Sequence, residues 1–252
     1  MTWRVVAASE VGTSHLDAEV PCQDSCWAQV HESPSGEAIL SICVCDGAGS
    51  ASHAEMGADL AISTAVDFFL EQLPRGLDLT QSYAHECICA VRAAIAKEAE
   101  QNNLAIRDFA CTFLGLISTS TASLAFQIGD GAIVLDVGAG LIVAIPPMVG
   151  EYVNATYFVT GDDALAILQV RPYSSPVQRA AVFTDGLQAL ILDLSTSTPH
   201  APFFDQQFAV VAGTRPDQEE ELHQALRRFL ASPGVNSKTD DDKTLVLAVR
   251  AE

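Results

Sequence analysis

Positive charge is what this chain has least of. Its 252 residues carry 13 Lys and Arg against 32 Asp and Glu, a formal net charge of −19. Nucleic-acid backbones and anionic membrane surfaces are held by clustered Lys and Arg, so neither is an expected partner. Long apolar runs are also lacking. The longest, over 131–149, is broken by Gly, Pro and Asp and falls short of a spanning helix. The opening MTWRVVAASEVGTSH lacks the charged-then-apolar layout of a signal peptide. The expectation is a soluble, cytoplasmic protein. No internal repeat or low-complexity linker divides the chain, which at this length predicts a single domain over 1–252.

Seven cysteines are present, Cys22, Cys26, Cys43, Cys45, Cys87, Cys89 and Cys111. Two pairs stand two residues apart, a spacing that raises the question of zinc. No CxxC with matching His spacing follows, so the reading is reduced cysteines acting as small core hydrophobes.

Apolar residues make up 49% of the chain, enough to build a core. Short apolar runs at 38–45, 111–118, 123–128, 132–137 and 141–145 read as strands, followed by 156–160, 165–170, 180–184, 208–212 and 244–249. Three longer segments read as helices. One covers 53–73, with Met56, Leu60, Thr64 and Phe68 at four-residue steps and Pro74 beyond it. The others are 82–102 and 217–231, the latter with acids in its first turn. A strand, two helices, many strands, then a late helix and strand is not the alternation of a doubly wound parallel sheet. It predicts an α+β fold, a layered α-β-β-α sandwich of two mainly antiparallel sheets flanked by helices. The stretch 187–215 reads as an irregular excursion.

Aspartates at the ends of these strands carry the chemistry. Asp46 and Asp185 each end an apolar run and precede glycine, Asp130 sits in QIGDG, and Asp241 and Asp242 immediately precede the final strand. An acid there is held by a rigid sheet yet open at its edge, and the glycine lets another group approach closely. Several on adjacent strands would make a hard-oxygen pocket suited to Mg²⁺ or Mn²⁺. Any one Asp-Gly is equally an ordinary turn.

Taken together, Gln23-Asp24, CDGAGSA (45–51), QIGDG (127–131), FTDG (183–186) and DDKTLVLA (241–248) resemble, in order, the motif series of the type 2C metal-dependent protein phosphatases. GTSH and PMVGEYVNATYFVT (147–160) resemble a bacterial subgroup of them. The resemblance implies hydrolysis of phosphoserine or phosphothreonine in proteins, with a phosphoprotein substrate and a cognate Ser/Thr kinase as partners. It implies two Mg²⁺ or Mn²⁺ ions and a third, more weakly held. Asp46 matches the carboxylate bridging the two metals, the Gly47 carbonyl a further ligand, and Asp185 and Asp241 the acids of the second metal. Asp130, with Asp185, matches the third-metal site, and Asp24 matches an acid that hydrogen-bonds metal-bound water. Thr112 stands where a small hydroxyl residue opens a core strand. The implied nucleophile is a metal-bridging hydroxide, so no Cys or Ser nucleophile is needed.

Three positions depart from the pattern. Gln23 replaces a frequent Glu and Ala48 a frequent His. The phosphate-binding Arg is missing from its usual spacing, where His15 is the best replacement, for phosphate contact or for a local hydrogen bond. These departures motivate an alternative, a catalytically weak or inactive relative acting as a phosphoprotein-binding regulatory module.

Overall fold

Strands apolar on both faces need cover on both sides, and that requirement sets the architecture. The computed structural model describes residues 2–148, 156–193 and 195–251. In chain order it begins with β1 (Thr2–Glu10), α1 (Thr13–Asp17), β2 (Ser25–Glu32) and β3 (Ala38–Cys45). Helices α2 (Ala54–Gln72) and α3 (Gln81–Asn102) follow, then β4 (Phe113–Ser118), β5 (Ser123–Ile128), β6 (Ala132–Asp136) and β7 (Leu141–Ile145). Next come α4 (Ala164–Ile167), β8 (Gln169–Tyr173), β9 (Arg179–Phe183), α5 (Gln188–Ile191), β10 (Leu192–Asp193) and β11 (Thr198–Pro199). The chain continues through α6 (Ala201–Gly213), α7 (Glu219–Leu230), α8 (Pro233–Asn236) and β12 (Lys243–Ala251).

Two five-stranded sheets form, β1-β12-β9-β6-β7 and β2-β3-β4-β5-β8, with every pairing antiparallel. Alternation along β3 shows the layering. Leu40, Ile42 and Val44 enter a core shared with Leu114, Val182 and Val246, between the sheets. Ile39, Cys43 and Cys45 face the other way, into a core built with Ile62, Ile88 and Val91 of α2 and α3. On the opposite outer face, Phe183, Leu245 and Leu247 pack against Phe204 and Phe208 of α6 and Leu226 and Leu230 of α7. The four layers are those expected.

Details differ. The apolar run 208–212 lies inside α6, because in a Phe- and Val-rich segment one apolar stripe at helical spacing and a strand look alike over five residues. The excursion 187–215 therefore contains α5, a small hairpin and α6 rather than irregular chain. Residues 165–170 split between α4 and β8, and 156–160 form no strand. In the motif PMVGEYVNATYFVT, 149–155 lie outside the described residues. The edge strands β1 and β2 were not anticipated: being half buried and interrupted by Arg4, Gln29 and His31, neither shows a clean apolar run. All seven cysteines are free, and Cys43, Cys45, Cys87 and Cys111 are buried as core residues.

Candidate metal centre

Antiparallel pairing decides which strand ends meet. Both β3 and β5 flank β4, so they run the same way and end together, delivering Asp46 and Asp130. In the other sheet Phe183 pairs with Leu245, so the end of β9 lies beside the start of β12 and brings Asp185 to Asp241. Carboxylate oxygens of Asp46, Asp130 and Asp185 all lie within 4.8 Å of one another. Each sheet thus contributes to one acidic cluster.

The surroundings fix each acid. Thr112 clamps Asp46 from both sides: its hydroxyl accepts the Asp46 N–H at 2.9 Å, and its own N–H donates to the Asp46 carbonyl at 2.8 Å. Gly47 forms an isolated bridge with Cys111, and a Cβ there would stand 2.8 Å from the Gln23 carbonyl and 2.9 Å from Ala54. Asp130 follows Gly129, whose φ of +117° turns the chain out of β5. The Thr156 hydroxyl donates to the Asp130 carboxylate, and the Gln188 amide donates to its carbonyl. Asp24 is buried, and its Oδ2 accepts hydroxyls from Thr184 and Thr244 at 2.8 Å each.

Asp241 is exposed and stands outside the tight set, yet its charge bears on Asp46, Asp130 and Asp185. Its neighbour Asp242 is buried and organises the segment, accepting N–H groups from Gly12 and Gln23 at 2.6 Å each. His15 Nδ1 lies 3.0 Å from Asp242 Oδ2, so the ring makes the local contact, and Nε2 has no hydrogen-bond partner among the described residues. Fully buried Lys243 donates to the carbonyls of Val11 at 3.1 Å and Asp241 at 3.2 Å, tying the turn after β1 to the start of β12. Side chains at Gly12 or Gly186 would prevent this assembly. A Cβ would come 2.4 Å from the Asp240 carbonyl and 2.1 Å from the Asp242 carbonyl, respectively.

Thr184, Thr244, Thr156, Gln188 and Lys243 were not singled out as site residues in the sequence, and Asp242 was noted only as a strand-end acid. Thr184, Asp242, Lys243 and Thr244 sit within the quoted motifs, and that adjacency was the available signal. Thr156 lies within the quoted stretch 147–160, whereas for Gln188 the sequence offered none.

Crowding acids in a buried place makes ionisation costly. Burial, followed by the charges of neighbouring aspartates, raises Asp46 well above the usual carboxylate range. Burial also takes Asp24 up to about 8 despite its two hydroxyl donors. Asp185 rises to about 6 through burial and then the charges of Asp130 and Asp241, against a hydrogen bond from Asp46. Asp130 is raised by burial, partly offset by Thr156. Among the described residues none of these four acids has a Lys, Arg or His partner within ion-pair distance. One oxygen each of Asp24, Asp130 and Asp185, and the Gln23 side-chain oxygen, are buried without a hydrogen-bond partner. Orphaned oxygens converging from two sheets, with no protein cation to neutralise them, fit a divalent metal of the hard-oxygen class.

Comparison with known proteins points the same way. The protein phosphatase 2C family profile matches residues 11–231. The chain is 44% identical over 253 residues to serine/threonine-protein phosphatase 3 of Escherichia coli (strain K12), covering all of both chains. Its fold is shared with the catalytic domain of the phosphatase PstP, solved with two manganese ions (TM-score 0.64, 17% identity, 99% of each chain). It is also shared with the phosphatase Stp1 of Staphylococcus aureus (TM-score 0.61, 11% identity, 98% of this chain and 94% of that one).

Proposed function

The chain belongs to the protein phosphatase 2C family, and from that premise we propose how its own residues carry out metal-dependent removal of phosphate from phosphoserine and phosphothreonine in proteins. The observation that carries the reading is the convergence of Asp46, Asp130 and Asp185 within 4.8 Å. These three, with Asp241 at the rim and the Gly47 carbonyl beside Asp46, would hold Mg²⁺ or Mn²⁺ ions. Bound there, the ions supply Lewis-acid chemistry, lowering the pKa of water and neutralising phosphoryl charge.

The protein's part is to hold the acids still. Thr112 fixes the Asp46 backbone, and Thr156 orients Asp130 so that its other oxygen faces the cluster. Asp24, held through Oδ2 by Thr184 and Thr244, keeps Oδ1 unsatisfied. That oxygen is free to accept a hydrogen bond from water at the cluster. Asp242 orients His15, and we assign the free Nε2 to a phosphoryl oxygen, the place left by the missing Arg. Gln23 presents a neutral oxygen where an acid is frequent.

Both sheets contribute acids, which supports the described chain acting as one phosphatase domain. A phosphoprotein substrate implies a Ser/Thr kinase that makes it, and free cysteines throughout fit the reducing cytoplasm. No helix among the described residues is long and apolar enough to cross a membrane. The alternative of a non-catalytic phosphoprotein-binding module has nothing in its favour here, since unmetallated acids at this spacing only repel. Phosphate release from a phosphothreonine peptide with and without Mn²⁺ tests the proposal. Turnover independent of Mn²⁺, or unchanged in Asp46→Asn, would overturn it.

A further inference from the structure

The free edges of the two sheets, β1 and β2, lie next to one another, and a cavity of about 330 Å³ opens between them beneath the α6–α7 connection. It is remote from the acidic cluster. Arg4 pairs with Val249 and Glu10 with Lys243, so six residues of β1, about 20 Å, separate the cavity from the metal end of the sheet. Its volume is at the lower end of the roughly 300–1,000 Å³ of small-molecule sites.

The lining reverses the charge balance of the molecule. Acids outnumber bases 32 to 13 over the chain, yet here Arg4, Arg215 and His223 face a single carboxylate, Glu219. The Arg4 guanidinium has no hydrogen-bond or ion-pair partner among the described residues. Arg215 pairs only with Asp217 two positions away, at 3.1 Å and with both side chains at least two-thirds exposed (67% and 70%). Such a pair is weak in water and leaves the guanidinium able to take another anion. His223 is fixed through Nδ1 to the Ala7 carbonyl at 2.9 Å, leaving Nε2 for another partner. Behind the wall, the Arg250 guanidinium lies 4.4 Å over the Trp3 ring and adds positive charge under it. Between these polar groups the surface is apolar, formed by Val5, Ala28, Val30 and Leu222.

We propose that this cavity binds a small amphipathic carboxylate, with its anionic head between Arg4 and Arg215 and an aromatic or branched apolar body against Val5, Val30 and Leu222. A planar guanidinium pair suits a carboxylate, and the apolar wall suits a ring. The half-open volume of about 330 Å³ suits a metabolite-sized molecule rather than a protein segment. The inference is independent of the reading of the acidic cluster.

Naphthoate is a suitable probe, titrated into the isotope-labelled full chain at low salt and followed by backbone amide shifts. Saturable changes are expected at residues 3–5, 28–30 and 215–223. Naphthalenemethanol, the uncharged analogue, is expected to bind about ten-fold more weakly, as are the Arg4→Glu and Arg215→Glu proteins with naphthoate. Leu222→Trp, which fills the apolar wall, should abolish binding. Metal-dependent phosphate release by these variants should stay at the parent level. Should Arg4→Glu fail to fold, Arg215→Glu on the exposed connection still decides. The proposal is overturned by non-saturating shifts, by shifts centred elsewhere, or by equal binding of the charged and uncharged probes.

Discussion

Metal binding to this protein should release protons, and the number can be worked out from the site. At pH 7 a carboxyl with a pKa of about 8, as for Asp24, is roughly nine-tenths protonated, and burial with neighbouring charges shifts Asp46 in the same direction. Asp185, at about 6, is already largely ionised. The charge of Asp24 raises Asp46, so their protons leave in shared steps. Filling the site with Mn²⁺ at pH 7 is therefore expected to displace about one proton from Asp24, with any held by Asp46 adding to it. By linkage, the apparent Mn²⁺ dissociation constant should fall at least about ten-fold for each pH unit around neutrality, about 1.4 kcal/mol. Titration calorimetry in buffers of different ionisation enthalpy gives the proton count directly. The metal-free protein offers a second measurement with a definite sign. An acid whose folded pKa is raised contributes stability that is fully present below about 4 and is lost as pH rises through the folded value. For Asp185 that window runs from about 4 to about 6 and is worth on the order of 3 kcal/mol; for Asp24 it extends to about 8. Metal-free protein should thus melt at a lower temperature at pH 8 than at pH 5, and saturating Mn²⁺ should remove the difference. Binding that releases no protons, with an affinity flat from pH 6 to 8, would refute this account.

Other expectations follow from single contacts. Asp46→Asn should cut metal-dependent phosphate release by at least about a thousand-fold while leaving circular dichroism intact, because the side chain at the meeting point of both sheets loses its charge. Lys243→Met keeps the buried volume but strands the carbonyls of Val11 and Asp241, costing about 1–3 kcal/mol each and weakening Mn²⁺ binding about ten-fold by calorimetry. Thr156→Val removes the one side-chain donor to the Asp130 carboxylate among the described residues, and weaker metal binding by about ten-fold, with unchanged melting temperature, is the expected pattern. Gly186→Ala forces a Cβ to 2.1 Å from the Asp242 carbonyl, and urea unfolding should show a loss of more than about 2 kcal/mol.

The layered architecture and the chief acids were legible because both rest on local pattern. Short apolar runs such as 38–45 and 123–128 became strands with the expected bounds. Strand-terminal Asp-Gly pairs marked Asp46, Asp130 and Asp185, and DDKT marked Asp241. What escaped was non-local. Nothing in the run around Phe208 tells a strand from a helix until Phe204 and Val211 are seen packing against β12. Nothing in TYFVT says that Thr156 reaches back 26 residues to Asp130.

By itself, then, the sequence determined most of the element types, the excess of acid, and which aspartates stand at strand ends, because propensity and period act over a few residues. Only the tertiary structure decided how those ends meet. Antiparallel pairing around β4 and between β9 and β12 brought Asp130 into the tight set with Asp46 and Asp185 and left Asp241 at its rim. The fold likewise buried Lys243 between two carbonyls and gave His15 to Asp242. Those outcomes depend on register and on burial shared between distant segments, and a buried charge or an orphaned oxygen exists only once the sheets have closed over it.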